Sequence, residues 1–493
     1  MLMGALACSA APGPKAGSGS GGAQGGTGGV GSGGSNAGSG GTGSGGTKVG
    51  PAGTGGASGS GGVGSGGSSP GSGGAASGGA VATGGRTGSG GAAATGGLTG
   101  SGGVAATGGR SASGGGTGSG GVAASGGRTG SGGGSAATGG STVDGPEPFV
   151  SGVPPTAAAH FKKGINLGNR LEAPNEGDWG GTVLASDFPF IARRGFDHVR
   201  IPIRFSGHAA AASPYTIDAT FFARIDTVLD QATAANLAVV VDMHAYDELA
   251  SDVSGNRDRF VGLWTQIAAR YKDRPDTIAF ELLNEPNTQL DTTWNDVMVP
   301  AIQAIRATNP RRLLIVDAVF WADPTKLATL TLPNDANIMA SIHLYEPKLF
   351  TFQGMSWMGP AYLTTGVIFP GPPSTPVDPV QAAKDTSWAN QWFMDYNTKP
   401  ADTNPSGPAT ITSQVALMTA YAHAQGRTVY NGEWGPQDGG PLDSRVRLVT
   451  AVRQQCESAG FGWAIWEDPV NMNLFDSSAG TWVTAIIDAL LPP

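Results

Sequence analysis

From Lys163 onward the chain repeats one unit: a short, almost wholly apolar run, then a segment whose apolar positions recur every three or four residues. The runs are Lys163–Leu167, His198–Pro202, Leu237–Asp242, Ile278–Asn284, Leu313–Asp317, Ile338–Leu344, Thr428–Glu433 and Phe461–Trp466. Runs this short and this apolar read as strands buried on both faces. The periodic segments between them, among them Ala219–Asn236, Arg259–Tyr271, Trp294–Thr308 and Ser444–Ala459, read as helices. Eight strands alternating with helices pair in parallel through right-handed crossovers and predict an α/β fold, a closed (β/α)8 TIM barrel. An open doubly wound sheet would want a glycine-rich first turn opening a helix. Here Gly168 and Asn169 follow the first strand with no helix directly behind them.

The strand ends carry the polar residues. Arg200 lies in the second run, His244 follows the third, and Asn284 with Glu285 closes the fourth ahead of Pro286, which cannot donate to a sheet ladder. His343 and Tyr345 end the sixth, Glu433 the seventh and Trp466 the eighth. A barrel gathers such groups at one mouth, where its loops build a site. Taken singly, His244 reads as a structural histidine and Arg200 as a salt-bridge member; their arrival at one rim favours a site. Glu281, three residues before Asn284, reads as half of a buried ion pair rather than as a third working acid.

Composition divides the chain. Of 493 residues 84 are Gly, and from Ser9 to Thr142 the sequence is almost entirely Gly, Ser, Ala and Thr, without an aromatic or acidic residue. Such a segment cannot bury enough apolar surface to offset the entropy of ordering it. Its imperfect Thr-Gly-Ser-Gly-Gly repeat, at Thr87, Thr99, Thr117 and Thr129, has no hydrophobic face, so the expectation is a disordered tether, not a solenoid. About 130 such residues reach roughly 60 Å as a random coil. The predicted layout is residues 1–8 as a partial lipoprotein-like signal segment, 9–146 as the Gly/Ser-rich linker and 147–493 as the barrel, with an insertion at about 346–409. Met1 to Cys8 resembles the end of a lipoprotein signal, which makes Cys8 a candidate lipid anchor and predicts export to the cell surface or beyond. Cys456 is the only thiol in the predicted barrel. The formal charge is −8, and the stretch from Ser9 to Thr142 holds five cations and no acid, which leaves roughly −13 on the rest. That balance disfavours nucleic acid and anionic membranes as partners. No stretch approaches a membrane-spanning length. No metal cluster or cofactor fingerprint is visible, and the chain is expected to act as a monomer.

Glu285 and Glu433 end strands on opposite sides of the predicted mouth. Two carboxyl groups facing across a cleft are the working parts of glycoside hydrolysis: about 5 Å apart they support a retaining double displacement, several Å further apart an inverting one. Arg200 beneath Glu433 would hold that carboxylate ionised, and the neighbouring negative charge would raise the pKa of Glu285. No serine nucleophile elbow lies at a strand end, which argues against a protease or esterase.

Val-Arg-Ile-Pro (199–202), Asn-Glu-Pro (284–286), His-Leu-Tyr (343–345), Gly-Glu-Trp-Gly (432–435) and the strand ending at Trp466 together resemble glycoside hydrolase family 5, the large cellulase family. The stretch Asn166 to Gly180 resembles its endoglucanase members. The resemblance implies a retaining mechanism with Glu285 as acid/base and Glu433 as nucleophile. It further implies that Asn284 binds the sugar 2-hydroxyl, Tyr345 hydrogen-bonds the nucleophile, Trp466 forms the platform under the cleaved sugar, and Arg200, His244 and His343 support the carboxylates. Asn169, Trp179 and Trp321 are further substrate-contact candidates, the two tryptophans for neighbouring sugars. Of the rings in the insertion (Phe350, Phe352, Trp357, Trp388, Trp392, Tyr396), most are expected to form a satellite core. The implied substrate is a β-glucan polysaccharide cut internally at β-1,4 bonds. β-Mannanase, xyloglucanase, xylanase and exo-β-glucosidase are alternatives, and a non-catalytic glycan-binding barrel is the alternative from another class.

Overall fold

The computed structural model describes residues 158–493; the expectations for the linker and for Cys8 lie outside the described residues. Eight parallel strands, β1 (Lys163–Asn166), β2 (His198–Ile203), β3 (Ala238–Met243), β4 (Ile278–Glu281), β5 (Leu314–Asp317), β6 (Ile338–Leu344), β7 (Val429–Trp434) and β8 (Gly462–Ile465), close in sequence order into one barrel. Pairing of Gly164 with Ala464 and Ile165 with Ile465 seals it. All but β1 are buried at every position, as runs covered on both faces require, and β1 is open only at Lys163.

The helices pack outside. The helix Ala219–Ala234 starts where the Asp218 side chain accepts the Phe221 backbone N–H at 2.8 Å, and it turns Phe222, Ile225, Leu229 and Ala232 to the sheet. The helix Pro408–Gln425 stops at Gly426, whose φ of 60° suits the left-handed cap. Among the described residues no helix is long and apolar enough to cross a membrane.

Two departures from the predicted elements bear on the site. β4 ends at Glu281 rather than Asn284, yet Leu282 and Asn284 still donate to Ile315 and Met243 on the flanking strands. The chain therefore leaves the ladder gradually, which carries Glu285 over the barrel mouth. Between β6 and β7 the register slips: Ile342 pairs with Asn431, but the next residue, His343, pairs with Glu433. This bulge leaves Gly432 as the extra residue and sets His343 and Glu433 side by side. The insertion after β6 has structure of its own, including the helices Gln381–Asp385 and Ser387–Thr398. Phe350, Phe352 and Tyr396 are buried in it, as expected of a satellite core, whereas Trp388 stays exposed.

Candidate active site

The site is built on a layer of buried charge at the strands' carboxyl ends. Arg200 of β2 is fully buried and uses all five of its N–H donors. Two go to Glu281, both at 2.7 Å, one to Glu433 at 2.7 Å, one to Asn284 at 2.8 Å and one to Asn166 at 3.0 Å. Asp242 of β3 lies 3.0 Å from the same guanidinium and 2.6 Å from Nδ1 of His244. Glu281 is thus a structural partner of Arg200. Burial alone would raise its pKa, but the guanidinium outweighs burial and holds it below the usual carboxylate range.

Glu433 accepts from Arg200 on one oxygen and from the Tyr345 hydroxyl, at 3.0 Å, on the other. Glu285 faces it across His343, whose Nδ1 is 2.8 Å from Glu285 Oε1 and 3.6 Å from Glu433 Oε2. An oxygen from each of the two glutamates and a nitrogen of His343 all fall within 4.8 Å of one another. The expected convergence of positions 285 and 433 is therefore present, at the spacing of a double displacement.

Burial pushes the carboxyl of Glu285 up to about 7, against the opposing pull of His244, Arg200 and Lys348. The expected cause, a neighbouring negative charge, is secondary, and the acid that supplies it is Glu281. Burial also holds His343 neutral, down at about 4. Two triads offer three potential metal ligands each, Glu281–Asp317–His343 and Glu285–His343–Glu433. Glu281, Glu285 and Glu433 are already bonded to Arg200, His343 or Tyr345, so these carboxylates are taken up by protein partners.

The remaining sequence candidates fall in three places. Trp466 follows β8 and donates its indole N–H to Asp468 at 3.2 Å, its ring 6.0 Å from that of His244. Asn169, at a φ of 57°, gives its backbone N–H to Glu172. Gly168 has to be glycine, because a Cβ there would sit 2.3 Å from the Trp466 ring. Trp321 joins Trp357, Tyr362 and Trp388 in the lining of a cavity of about 500 Å³ that opens beside Glu285, within the ~300–1,000 Å³ usual for ligand clefts. Trp179 is buried, as Trp466 is, and its loop lies against the loop after β8, where Gly181 comes close to Pro469.

Sequence reasoning missed Asn166, Asp242 and Asp317. The signal was present in Val-Val-Val-Asp-Met and Leu-Ile-Val-Asp, where an acid sits at the end of an otherwise apolar strand.

A family model described as Cellulase (glycosyl hydrolase family 5) matches residues 162–469. Endoglucanase H of Acetivibrio thermocellus is 27% identical over 337 residues, 67% of this chain and 33% of that protein. The chain spans from 33% to 51% of the length of three curated relatives it matches. Among solved structures, endoglucanase Cel5A of Thermotoga maritima is 32% identical, with a TM-score of 0.60, covering 69% of this chain and 100% of that one. A second structure of Cel5A, in complex with mannotriose, is 32% identical with a TM-score of 0.58 over 68% of this chain and 99% of that one.

Proposed function

The chain belongs to the cellulase family, glycosyl hydrolase family 5, and we propose that it is an endo-β-1,4-glucanase that cuts glucan chains with retention of configuration. The observation that carries this reading is the approach of the Glu285 and Glu433 carboxylates to within 4.8 Å around His343. With its pKa raised to about 7, Glu285 keeps its proton up to near neutral pH and gives it to the leaving glycosidic oxygen. Glu433, fixed by Arg200 and Tyr345, attacks the anomeric carbon as that bond breaks, forming a glycosyl-enzyme. Glu285, now ionised, takes a proton from water; the resulting hydroxide attacks the same carbon and frees Glu433. Asn284 accepts from Arg200 through its carbonyl oxygen, which leaves its amide N–H groups for the sugar 2-hydroxyl. Trp466 floors the subsite of the cleaved sugar, while the cavity with Trp321 adjoins Glu285 and so takes the leaving part of the chain.

An assay of reducing ends over carboxymethylcellulose, glucomannan, xyloglucan, xylan and laminarin tests the reading. Carboxymethylcellulose should be degraded, with viscosity falling well before reducing ends accumulate. Activity confined to glucomannan would favour a mannanase, the second reading that the mannotriose complex of Cel5A supports. A polymer substrate fits action outside the cell, with Cys8 as a lipid anchor and the linker as a spacer, and the proposed enzyme works as a monomer.

A further inference from the structure

Beneath the acid/base pair lie three buried polar atoms that form no well-aligned hydrogen bond, Nε2 of His343, Oδ1 of Asp317 and Oγ of Ser341, although the Ser341 hydroxyl is close enough to Asp317 to interact with its carboxyl. They meet where β5 and β6 adjoin. Asp317 is the last residue of β5, the register sets it beside Ser341, and His343 follows two positions on along the same face. Asp317 is fully buried and belongs to none of the motifs that carry the family resemblance. Its Oδ2 accepts the backbone N–H of Glu285 at 3.0 Å and stands 3.5 Å from Nε2 of His343. The other ring nitrogen of His343 is the one that contacts Oε1 of Glu285. One carboxyl therefore reaches the acid/base twice, through its backbone and through the imidazole.

We propose that Asp317 is a positioning residue for the acid/base: its carboxyl accepts the Glu285 backbone N–H and donates to His343 Nε2, so that the imidazole carries its hydrogen on Nδ1 and points it at Glu285.

The backbone contact has a strained residue to hold. Glu285 sits at a φ of 49°, a left-handed region that a non-glycine residue adopts only at a cost in strain. The next residue is tied as well, since Pro286 accepts the Trp321 backbone N–H at 3.3 Å. Asp317 is itself anchored by the Trp294 indole, which donates to its carbonyl at 3.0 Å.

The imidazole contact follows from charge. Burial and the nearby Glu281 carboxylate push Asp317 well above the usual carboxylate range, against the opposing pull of Arg200, the Ser341 hydroxyl and the Glu285 backbone N–H, and so favour its protonated form. A neutral acid facing a neutral imidazole fits in one way, with its O–H on the Nε2 lone pair and the ring hydrogen on Nδ1. Oε1 of Glu285 then receives an N–H, and the catalytic proton rides on Oε2, free for the leaving oxygen. Once that proton has gone, the same N–H stabilises the carboxylate until it acts as base. An ionised Asp317 would require the opposite tautomer, with a bare Nδ1 turned on Glu285 and competing for its proton.

The inference rests on Glu285 as acid/base, and the test separates the two. The full chain, labelled with 15N-histidine, is compared with Asp317→Asn and Asp317→Leu by imidazole NMR and by kcat and KM on carboxymethylcellulose. The wild type should show His343 as the Nδ1–H tautomer. Asp317→Asn should keep it and most of kcat, because an amide donates and accepts as a neutral acid does. Asp317→Leu should lose the fixed tautomer and about tenfold to hundredfold in kcat with KM little changed. An Nε2–H tautomer in the wild type overturns the proposal, whatever the variants do. So does an Asp317→Asn variant that falls as far as Asp317→Leu, or an Asp317→Leu variant with wild-type kcat. Glu285→Gln run alongside checks the premise: full activity in that variant removes the acid/base assignment and the proposal with it.

Discussion

At Glu285 burial does two jobs: it raises the carboxyl's pKa and it excludes bulk water from the proton transfer. The acid-competent form is the protonated one, and its pKa has moved from 4.5 up to about 7. The competent form is therefore retained below about pH 7 and lost as pH rises through it. The kcat/KM profile should fall on its alkaline side with a midpoint near 7, and Glu285→Gln should abolish that limb with the activity. Glu433→Ala should cut turnover by on the order of 10⁴-fold or more while leaving polymer binding and the melting transition in place. Full activity in that variant would remove the nucleophile assignment. Arg200→Met strips the guanidinium from between Asp242, Glu281 and Glu433, and breaking a buried pair this way costs about 3–5 kcal/mol. It should show as a lower urea midpoint together with lost activity; an unchanged midpoint would mean the charged layer does not support the fold.

At the scale of elements, the strands were legible because burial on both faces leaves a run of apolar residues that little else produces. Each predicted strand lies within two residues of the observed one at either end, except that β4 stops three residues early. The convergence at the mouth was legible in kind, since a closed parallel barrel brings all strand ends to one rim. What could not be seen was geometry set by register: the slip that puts His343 beside Glu433, the tie from Asp317 to the Glu285 backbone, and the burial of Trp179. These depend on how strands far apart in sequence align, and local pattern carries no record of that. The seam where β1 meets β8 offers an element-scale test. Gly168→Ala places a methyl against the Trp466 ring, an overpacking that costs about 1–3 kcal/mol. It should weaken kcat/KM more than stability, read by kinetics beside a thermal melt. Equal loss of both would mean that Trp466 matters for packing rather than for substrate.

For the whole molecule, the family match occupies residues 162–469, and the proposed chemistry draws on no residue before Asn166. A chain beginning at Glu147 should hydrolyse soluble carboxymethylcellulose at the full-length rate. A large loss would give the glycine-rich region a role beyond that of a spacer. The central claim is that Glu433 forms a covalent bond to sugar while Glu285 trades a proton. Incubation with a 2-deoxy-2-fluoro cellobioside bearing a good leaving group, followed by peptide mass spectrometry, tests it most directly. One fluoroglycosyl group should appear on the peptide that contains Glu433. A label on Glu285 or any other residue, or continued turnover with no label, would contradict it.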